Sequence, residues 1–145
     1  MRPLFITHDI GVAQEVADRV GVMYAGRIVE EGVPEQVLGH PVHSYTVGLL
    51  ESAPTPDVSP GALNVIPGHT PVLGDDVRGC AFSPRCPHAQ AACLVKVPDL
   101  VAVGQHHLLA CPVREHLVGK FPGRPRAGTH ARDSESLITA ESQGA

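Results

Sequence analysis

The sequence has 145 residues, which is enough for one ordinary domain or two small ones. Its formal net charge is −4, and without clustered Lys and Arg it does not resemble a nucleic-acid-binding protein. No apolar run approaches the ~18 residues that a membrane span requires. The apolar stretch at residues 4–6 is too short for the core of a signal peptide, so we expect a cytosolic chain.

The opening residues predict a strand followed by a helix. Residues 4–6 form an apolar run bounded by polar Thr7, which is typical of a fully buried strand. Asp9 predicts a helix start, since its carboxylate can accept the unpaired N–H groups of the first turn. A native domain rarely begins inside a buried strand, so we expect a chain cut from a longer protein.

Residues 20–52 predict a hairpin and two helices. Two strand-like segments, 20–24 and 27–31, flank Ala25-Gly26, where glycine permits the positive φ of a tight turn. Pro34 suits the first turn of a short helix through Leu38. A further helix is predicted over residues 44–52, where an aromatic and a leucine side chain are four residues apart.

The composition changes at Ala53, where a proline-rich segment over residues 53–62 predicts an extended linker. All four cysteines follow, within residues 79–111. Beyond Phe121 the sequence is polar and rich in Gly and Ser, which predicts a disordered tail.

Two blocks of sequence point to one family. The segment FITHDIGVAQEVADRVGVMYAGRIVEEG, residues 5–32, resembles the switch region and following hairpin of ABC-transporter ATPases. IPGHTPVL at residues 66–73 and GCAFSPRCPHAQAACLVKVPDL at residues 79–100, with the later Cys111, resemble the C-terminal extension of peptide and nickel importers. The resemblance covers roughly residues 3–117.

The sequence departs from the family pattern in two ways. The family usually has His-Pro-Tyr-Thr where this chain has His43-Ser44-Tyr45-Thr46. The sequence also contains no G-x-x-x-x-G-K-[ST] phosphate-binding loop, and it lacks the family's signature loop and its acidic Mg²⁺-binding strand. We therefore expect no ATP hydrolysis by this polypeptide alone.

The resemblance implies an α/β fold in three parts. Residues 1–52 are expected to be the C-terminal fragment of an ABC ATPase domain, and residues 53–117 a loop-rich extension with four cysteines. Residues 118–145 are expected to be a disordered tail. If the opening strands belong to a larger sheet, their unpaired edges would make the isolated chain marginally stable or prone to aggregate.

The resemblance assigns a catalytic role to His8 within an intact domain. In the family, a histidine at this position reaches the γ-phosphate of ATP and helps to fix the attacking water, a positioning role that dominates phosphoryl transfer. ATP and Mg²⁺ are expected only in that intact domain. The alternative is that Thr7-His8-Asp9 simply begins a helix.

The four cysteines, spaced C-x5-C-x6-C-x17-C, are candidate metal ligands: Cys80, Cys86, Cys93 and Cys111. Four thiolates can hold a tetrahedral Zn²⁺ or a [4Fe-4S] cluster, although the spacing is typical of neither. The resemblance favours a cluster, because some peptide-importer ATPases carry one on this extension. Buried, reduced thiols remain the alternative. The nearby His69, His88, His106 and His107 are further candidate ligands or donors, with ordinary solvated loop residues as the alternative.

Two residues between the first cysteines, Phe82 and Arg85, could contact a partner subunit or a substrate-binding domain. A solvated loop explains them equally well.

The resemblance implies an ATP-binding subunit that energises peptide uptake. Its expected partners are permease subunits and a second ATP-binding subunit, with peripheral association at the cytoplasmic side of the membrane. Two alternatives remain. An independent metal-binding module would be a stable monomer with stoichiometric metal, and a non-catalytic interaction protein would co-purify with a full-length homologue.

Overall fold

The computed structural model describes residues 3–53, 65–72, 77–114, 117 and 119. The helices and strands of these residues follow in chain order: α1 Ile10–Val16, β1 Val20–Tyr24, β2 Arg27–Gly32, α2 Pro34–Val37, α3 Ser44–Ser52, a 3₁₀ turn Ser83–Arg85, α4 Ala92–Val95, β3 Val101–Gly104 and β4 His107–Leu109. The predicted linker falls largely, and the predicted tail almost entirely, outside the described residues.

One antiparallel sheet organises the described residues, with the strands in the order β1-β2-β4-β3. The first hairpin pairs Val20 with Gly32, and β2 continues to β4 through the pairing of Glu30 with Leu109. The sheet therefore joins strands from both sides of the predicted boundary at residue 53. The predicted division into residues 1–52, 53–117 and 118–145 therefore stays a prediction. The fold itself is a small mixed structure of helices and sheet.

The predicted hairpin and the two helices after it are confirmed. Ala25 and Gly26 both have positive φ, at 46° and 77°, which is the conformation of a type I′ hairpin turn. α3 covers the predicted residues, and α2 begins at Pro34 as predicted. The second hairpin was not predicted, since its turn is made by Gln105 and His106, the latter at φ 60°.

The predicted strand at residues 4–6 is wrong for this structure. Leu4, Phe5 and Ile6 are 88%, 72% and 95% exposed and form no strand. Within the described part of the chain, no strand lies beside them to pair with their backbone, so an extended apolar run has nothing to bury itself against. α1 does begin at Asp9, as predicted, but it buries none of its residues.

Two apolar clusters make the core. The first packs the β1–β2 hairpin against α2, α3 and Phe82, and the second packs β4 against Val42 and two of the cysteines. Phe82 is 2% exposed and lies near both tyrosines, at ring distances of 5.3 Å from Tyr24 and 5.5 Å from Tyr45. The predicted roles of Phe82 in a partner contact or a solvated loop are both wrong, because its ring lies in the core.

Candidate functional site

His8 lies on an exposed turn between residues 4–6 and α1. The Thr7 hydroxyl accepts a hydrogen bond from the Asp9 backbone N–H at 2.9 Å, and the Asp9 carboxylate accepts one from Val12 N–H at 3.1 Å. These two local bonds fix the backbone on either side of His8 without burying its imidazole. The predicted catalytic role of His8 within an intact domain stays a prediction.

The cysteine loops are held together through their backbones. Cys80 N–H donates to the Cys93 carbonyl at 2.7 Å, so α4 lies directly against the first cysteine. Gly79 makes this approach possible, since a Cβ at that position would lie 2.2 Å from the Cys93 carbonyl oxygen. Any larger residue at Gly79 would force the two loops apart.

The thiol of Cys111 lies within electrostatic range of the other three cysteine thiols. Burial raises the pKa of the Cys111 thiol to about 11, and the thiols of Cys80, Cys93 and Cys86 add to the rise. Burial also raises the pKa of Cys80, where Cys93 and Cys86 contribute in the same direction. The structure therefore brings the four sequence-predicted cysteines into one neighbourhood, and all four are free thiols.

Hydrogen-bond donors lie beside several of these sulfur atoms. Gln90 N–H donates to Cys93 Sγ at 3.4 Å, whereas the Cys86 thiol itself donates to Ser44 Oγ at 3.4 Å. Backbone N–H groups of Phe82 and Val113 bond to the Cys80 and Cys111 thiols and oppose the burial effect on their pKa values. Such N–H···S contacts favour the charged form of the sulfur.

Four free cysteines are the type of ligand that Zn²⁺ and iron–sulfur clusters take. The sulfur atoms do not form a finished coordination shell. Among the described residues, no three His, Cys, Asp or Glu side chains are grouped closely enough to hold a metal ion.

Arg85 ties the first cysteine loop to the segment before it. Its Nε donates to the Pro67 carbonyl at 2.7 Å and its Nη2 to the Ile66 carbonyl at 2.9 Å. Its Nη1 lies within hydrogen-bond distance of the Tyr24 hydroxyl and Thr70 Oγ1, at 3.2 and 3.1 Å. Arg85 is therefore a structural link within the chain rather than a residue of a solvated loop.

The sequence analysis missed a buried carboxylate. Glu30, in β2, is fully buried, and its Oε1 accepts hydrogen bonds from Val42 N–H and from His107 Nε2, both at 2.8 Å. Its Oε2 accepts from His43 N–H at 3.0 Å. One side chain thus joins β2, the segment before α3, and β4. His107 is engaged here with Glu30, although the sequence suggested it as a candidate metal ligand.

His43 completes this buried polar group. Burial lowers the pKa of His43 to about 4, although the nearby Glu30 carboxylate acts to raise it. Its Nδ1 accepts a hydrogen bond from Tyr45 N–H at 3.1 Å and so caps α3. The sequence carries no clear signal for Glu30, because a charged residue in a strand is ordinarily read as solvent-facing.

No helix of the described residues is long and apolar enough to cross a membrane.

Comparison with known proteins identifies the chain's relatives. Residues 29–93 match the family described as the oligopeptide/dipeptide transporter C-terminal region. A peptide import ATP-binding protein of Brucella ovis is 49% identical over 117 residues, covering 77% of this chain and 35% of that protein. The oligopeptide transport ATP-binding protein OppD of Salmonella typhimurium is 44% identical over 116 residues, covering 79% of this chain and 34% of that protein.

The chain spans about a third of the length of these relatives. In the longer OppD of Mycobacterium bovis, the shared part is 19% of the protein at 44% identity. The aligned region is the C-terminal part of the relatives, as the sequence resemblance predicted. The chain thus contains the oligopeptide/dipeptide transporter C-terminal region and is related to the ATP-binding proteins of peptide importers.

Proposed function

We propose that this chain serves as the C-terminal part of the ATP-binding subunit of a peptide importer. Its similarity to peptide import and oligopeptide transport ATP-binding proteins supports this proposal. In that role a second ATP-binding subunit and membrane-embedded permeases complete the transporter, and the chain lies at the cytoplasmic face of the membrane.

The observation that carries the proposal is the exposed apolar run at residues 4–6, immediately before His8. Burying such side chains stabilises by about 25 cal/mol per Å² of apolar surface, so this run favours packing against another part of an ATPase domain. Packed in that way, His8 would be fixed beside the bound nucleotide. Its imidazole could then donate a hydrogen bond to the γ-phosphate and orient the attacking water.

The chain needs that other part for catalysis. The sequence contains no loop of the type G-x-x-x-x-G-K-[ST], whose backbone N–H groups and lysine hold the phosphates of ATP. Positioning of phosphate and metal provides most of the rate in phosphoryl transfer. We therefore expect no measurable ATP hydrolysis from the purified chain.

The test is complementation. The full chain is co-expressed with a peptide import ATP-binding protein from which the region shared with this chain has been deleted, and ATP hydrolysis by the purified complex is measured. We expect the chain to restore hydrolysis and His8→Ala to lower the restored rate at least about tenfold. His40→Ala, which changes another exposed histidine, is the matched control and should restore hydrolysis fully.

Two results would overturn the proposal. One is ATP hydrolysis by this chain alone. The other is equal restoration by the His8→Ala variant and the unchanged chain, which would leave His8 as the start of a helix only.

We also propose that the four cysteines hold a structural metal, because all four are free thiols of the type that such metals take as ligands. Cys80, Cys86, Cys93 and Cys111 would ligate either a [4Fe-4S] cluster or Zn²⁺. Either group would supply a cross-link between loops that have few helices or strands of their own. The bound cation would also offset the burial that disfavours the Cys111 thiolate.

Metal analysis after anaerobic purification tests this second proposal. A brown, iron-containing protein would support a [4Fe-4S] cluster, and a colourless protein with one equivalent of zinc would support a Zn²⁺ site. In either case Cys93→Ser, which removes a buried thiol, should reduce the metal content. A metal-free chain that is stable and folded would overturn the proposal and leave four free thiols, of which Cys93 and Cys111 are buried.

A further inference from the structure

A cavity of about 440 Å³ lies beside the turn of the first hairpin. Its walls come from three parts of the chain: the hairpin between positions 24 and 29, the first cysteine loop between positions 77 and 82, and residues 97–100. Protein interiors contain few voids larger than a water molecule, whereas sites for small molecules measure about 300–1,000 Å³. The cavity therefore has the size of a ligand site rather than that of a packing defect.

The buried part of the cavity wall is held in place by the core. Tyr24 and Phe82 line the cavity at 4% and 2% exposure, and their rings pack edge to face with centroids 5.3 Å apart. Val29 and Ala110 also line it, and Ala110 N–H donates to the Val29 carbonyl at 2.9 Å. A ligand would thus meet a preformed surface, so its binding requires little ordering of the protein.

The outer part of the cavity wall is apolar. Val77 and Leu100 line the cavity and are 37% and 36% exposed, so both side chains lie between it and solvent. Ile28, which is half-buried, adds a third aliphatic side chain. Covering these side chains removes apolar surface from water, so the cavity favours a ligand with an apolar body.

Two charged side chains line the cavity, and they differ in their partners. Asp99 forms an ion pair with Lys96 at 2.7 Å, which offsets its charge. Arg27 is exposed, and no acidic side chain within the described part of the chain pairs with it. The planar guanidinium of arginine matches the two oxygens of a carboxylate. The charge at the cavity is therefore complementary to an anionic ligand.

We propose that this cavity binds a small molecule that carries an apolar body and a carboxylate group. The apolar body lies between Val77 and Leu100 and against the ring of Phe82, and Arg27 binds the carboxylate. Neither the importer role nor a metal at the cysteines is needed for this site, so its failure would leave both of those proposals standing.

The experiment titrates the full, reduced, isotope-labelled chain with N-acetyl-L-leucine and follows the backbone N–H signals by two-dimensional NMR. We expect saturable shifts of the signals of Ile28, Val29 and Ala81, which line the cavity. N-acetyl-L-leucinamide has the same apolar body without the charge, and it should bind about fivefold more weakly. N-acetylglycine keeps the carboxylate but lacks the apolar side chain, and it should bind about tenfold more weakly.

Two variants separate the charge from the apolar wall. Arg27→Gln should make the acid and the amide bind equally, and Arg19→Gln is its matched control, since Arg19 pairs with Glu31 and does not line the cavity. Leu100→Asn should weaken binding of both leucine compounds. Leu94→Asn, at an exposed position outside the cavity lining, is the control for that variant.

Three results would overturn the proposal. One is equal binding of N-acetyl-L-leucine and its amide by the unchanged chain, which would remove the role of Arg27. Another is a titration whose shifts do not saturate or do not include the cavity signals. The third is a shift of the cavity signals when the chain is diluted without ligand, because a second copy of the chain would then occupy the cavity.

Discussion

Residues 3–16 and the residues around Glu30 differ in how far they are buried and bonded by the rest of the chain. The first segment exposes Leu4 and Ile6 at 88% and 95%, and its helix buries no side chain. Glu30 is fully buried and accepts three hydrogen bonds from two other parts of the chain. The segment that carries the predicted catalytic histidine is therefore held by fewer buried contacts with the other described residues than Glu30 is.

This contrast indicates where the chain's own stability lies. The sheet, α3 and the cysteine loops share buried contacts, so they can fold as one cooperative unit. Among the described residues, the opening segment makes local hydrogen bonds, such as the cap at Asp9, and Ile10 packs partly buried against the first apolar cluster. Regions with few buried contacts open most easily, and they are also the regions that gain most from a partner surface.

The largest expected effect is at Glu30. Glu30→Ala leaves two backbone N–H groups and His107 buried without their acceptor, so we expect a loss of about 3–5 kcal/mol of unfolding free energy. The measurement is urea unfolding followed by circular dichroism.

The neighbouring residue gives the control for Glu30. Glu31 pairs with Arg19 at 2.6 Å, but both side chains are partly exposed, so Glu31→Ala should cost less than about 1 kcal/mol. Equal effects at the two positions would show that the buried carboxylate does not support the fold.

The next effect is a dependence on pH from His43. Its pKa is about 4 in the fold and 6.5 when exposed, so between these values the unfolded chain binds more protons. The stability from neutral His43 is complete above pH 6.5 and is lost as the pH falls towards 4, by on the order of 3 kcal/mol.

His43→Asn tests this directly, since asparagine also caps helices but does not titrate. The chain and the variant are compared by urea unfolding at pH 7 and pH 4.5. We expect the loss on acidification to be smaller in the variant. An equal loss in both proteins would assign the pH dependence to other groups.

A smaller effect is expected at Arg85. Arg85→Lys keeps the charge but removes the planar group that bonds two carbonyls at once, at a cost of about 1–2 kcal/mol. Protease cleavage within residues 65–72 should become faster. Arg27→Lys, at the exposed first residue of β2, is the control. Unchanged cleavage in Arg85→Lys would contradict the link between this segment and the cysteine loop.

The smallest effect on folding is expected at Ile6. Ile6→Ser should change the unfolding free energy by less than about 0.5 kcal/mol, because the side chain is already in solvent. Val37→Ser, at a fully buried position, should cost about 2 kcal/mol or more. In the complementation assay, Ile6→Ser should weaken association. A large folding defect from Ile6→Ser would show that residues 4–6 are already packed.

Local sequence signals predicted the local structure well. The Ala25-Gly26 turn, Pro34 and the Asp9 cap each act within a few residues, so the hairpin and helix starts follow from them. The β3–β4 hairpin was missed because its turn contains His106 at positive φ in place of glycine or asparagine.

The buried features could not be predicted because they depend on distant residues. Glu30 is buried only because donors 12 and 77 positions away meet its carboxylate. The strand predicted at residues 4–6 depends equally on a distant partner, which the described residues do not provide. The cysteines were identified as candidate ligands because the sequence contains four of them. The contact between Ser44 and Cys86, which are 42 positions apart, is visible only in the folded structure.

Hydrogen–deuterium exchange on the full chain tests the contrast between the two regions most directly. We expect backbone N–H groups in β2 and β4 to exchange slowly and together, because they lie in the cooperative unit. Those in α1 and in residues 4–9 should exchange at close to the rate of an unfolded peptide. Protection of residues 4–16 equal to that of β2 would contradict the account, since the opening segment would then already be part of a self-supporting fold.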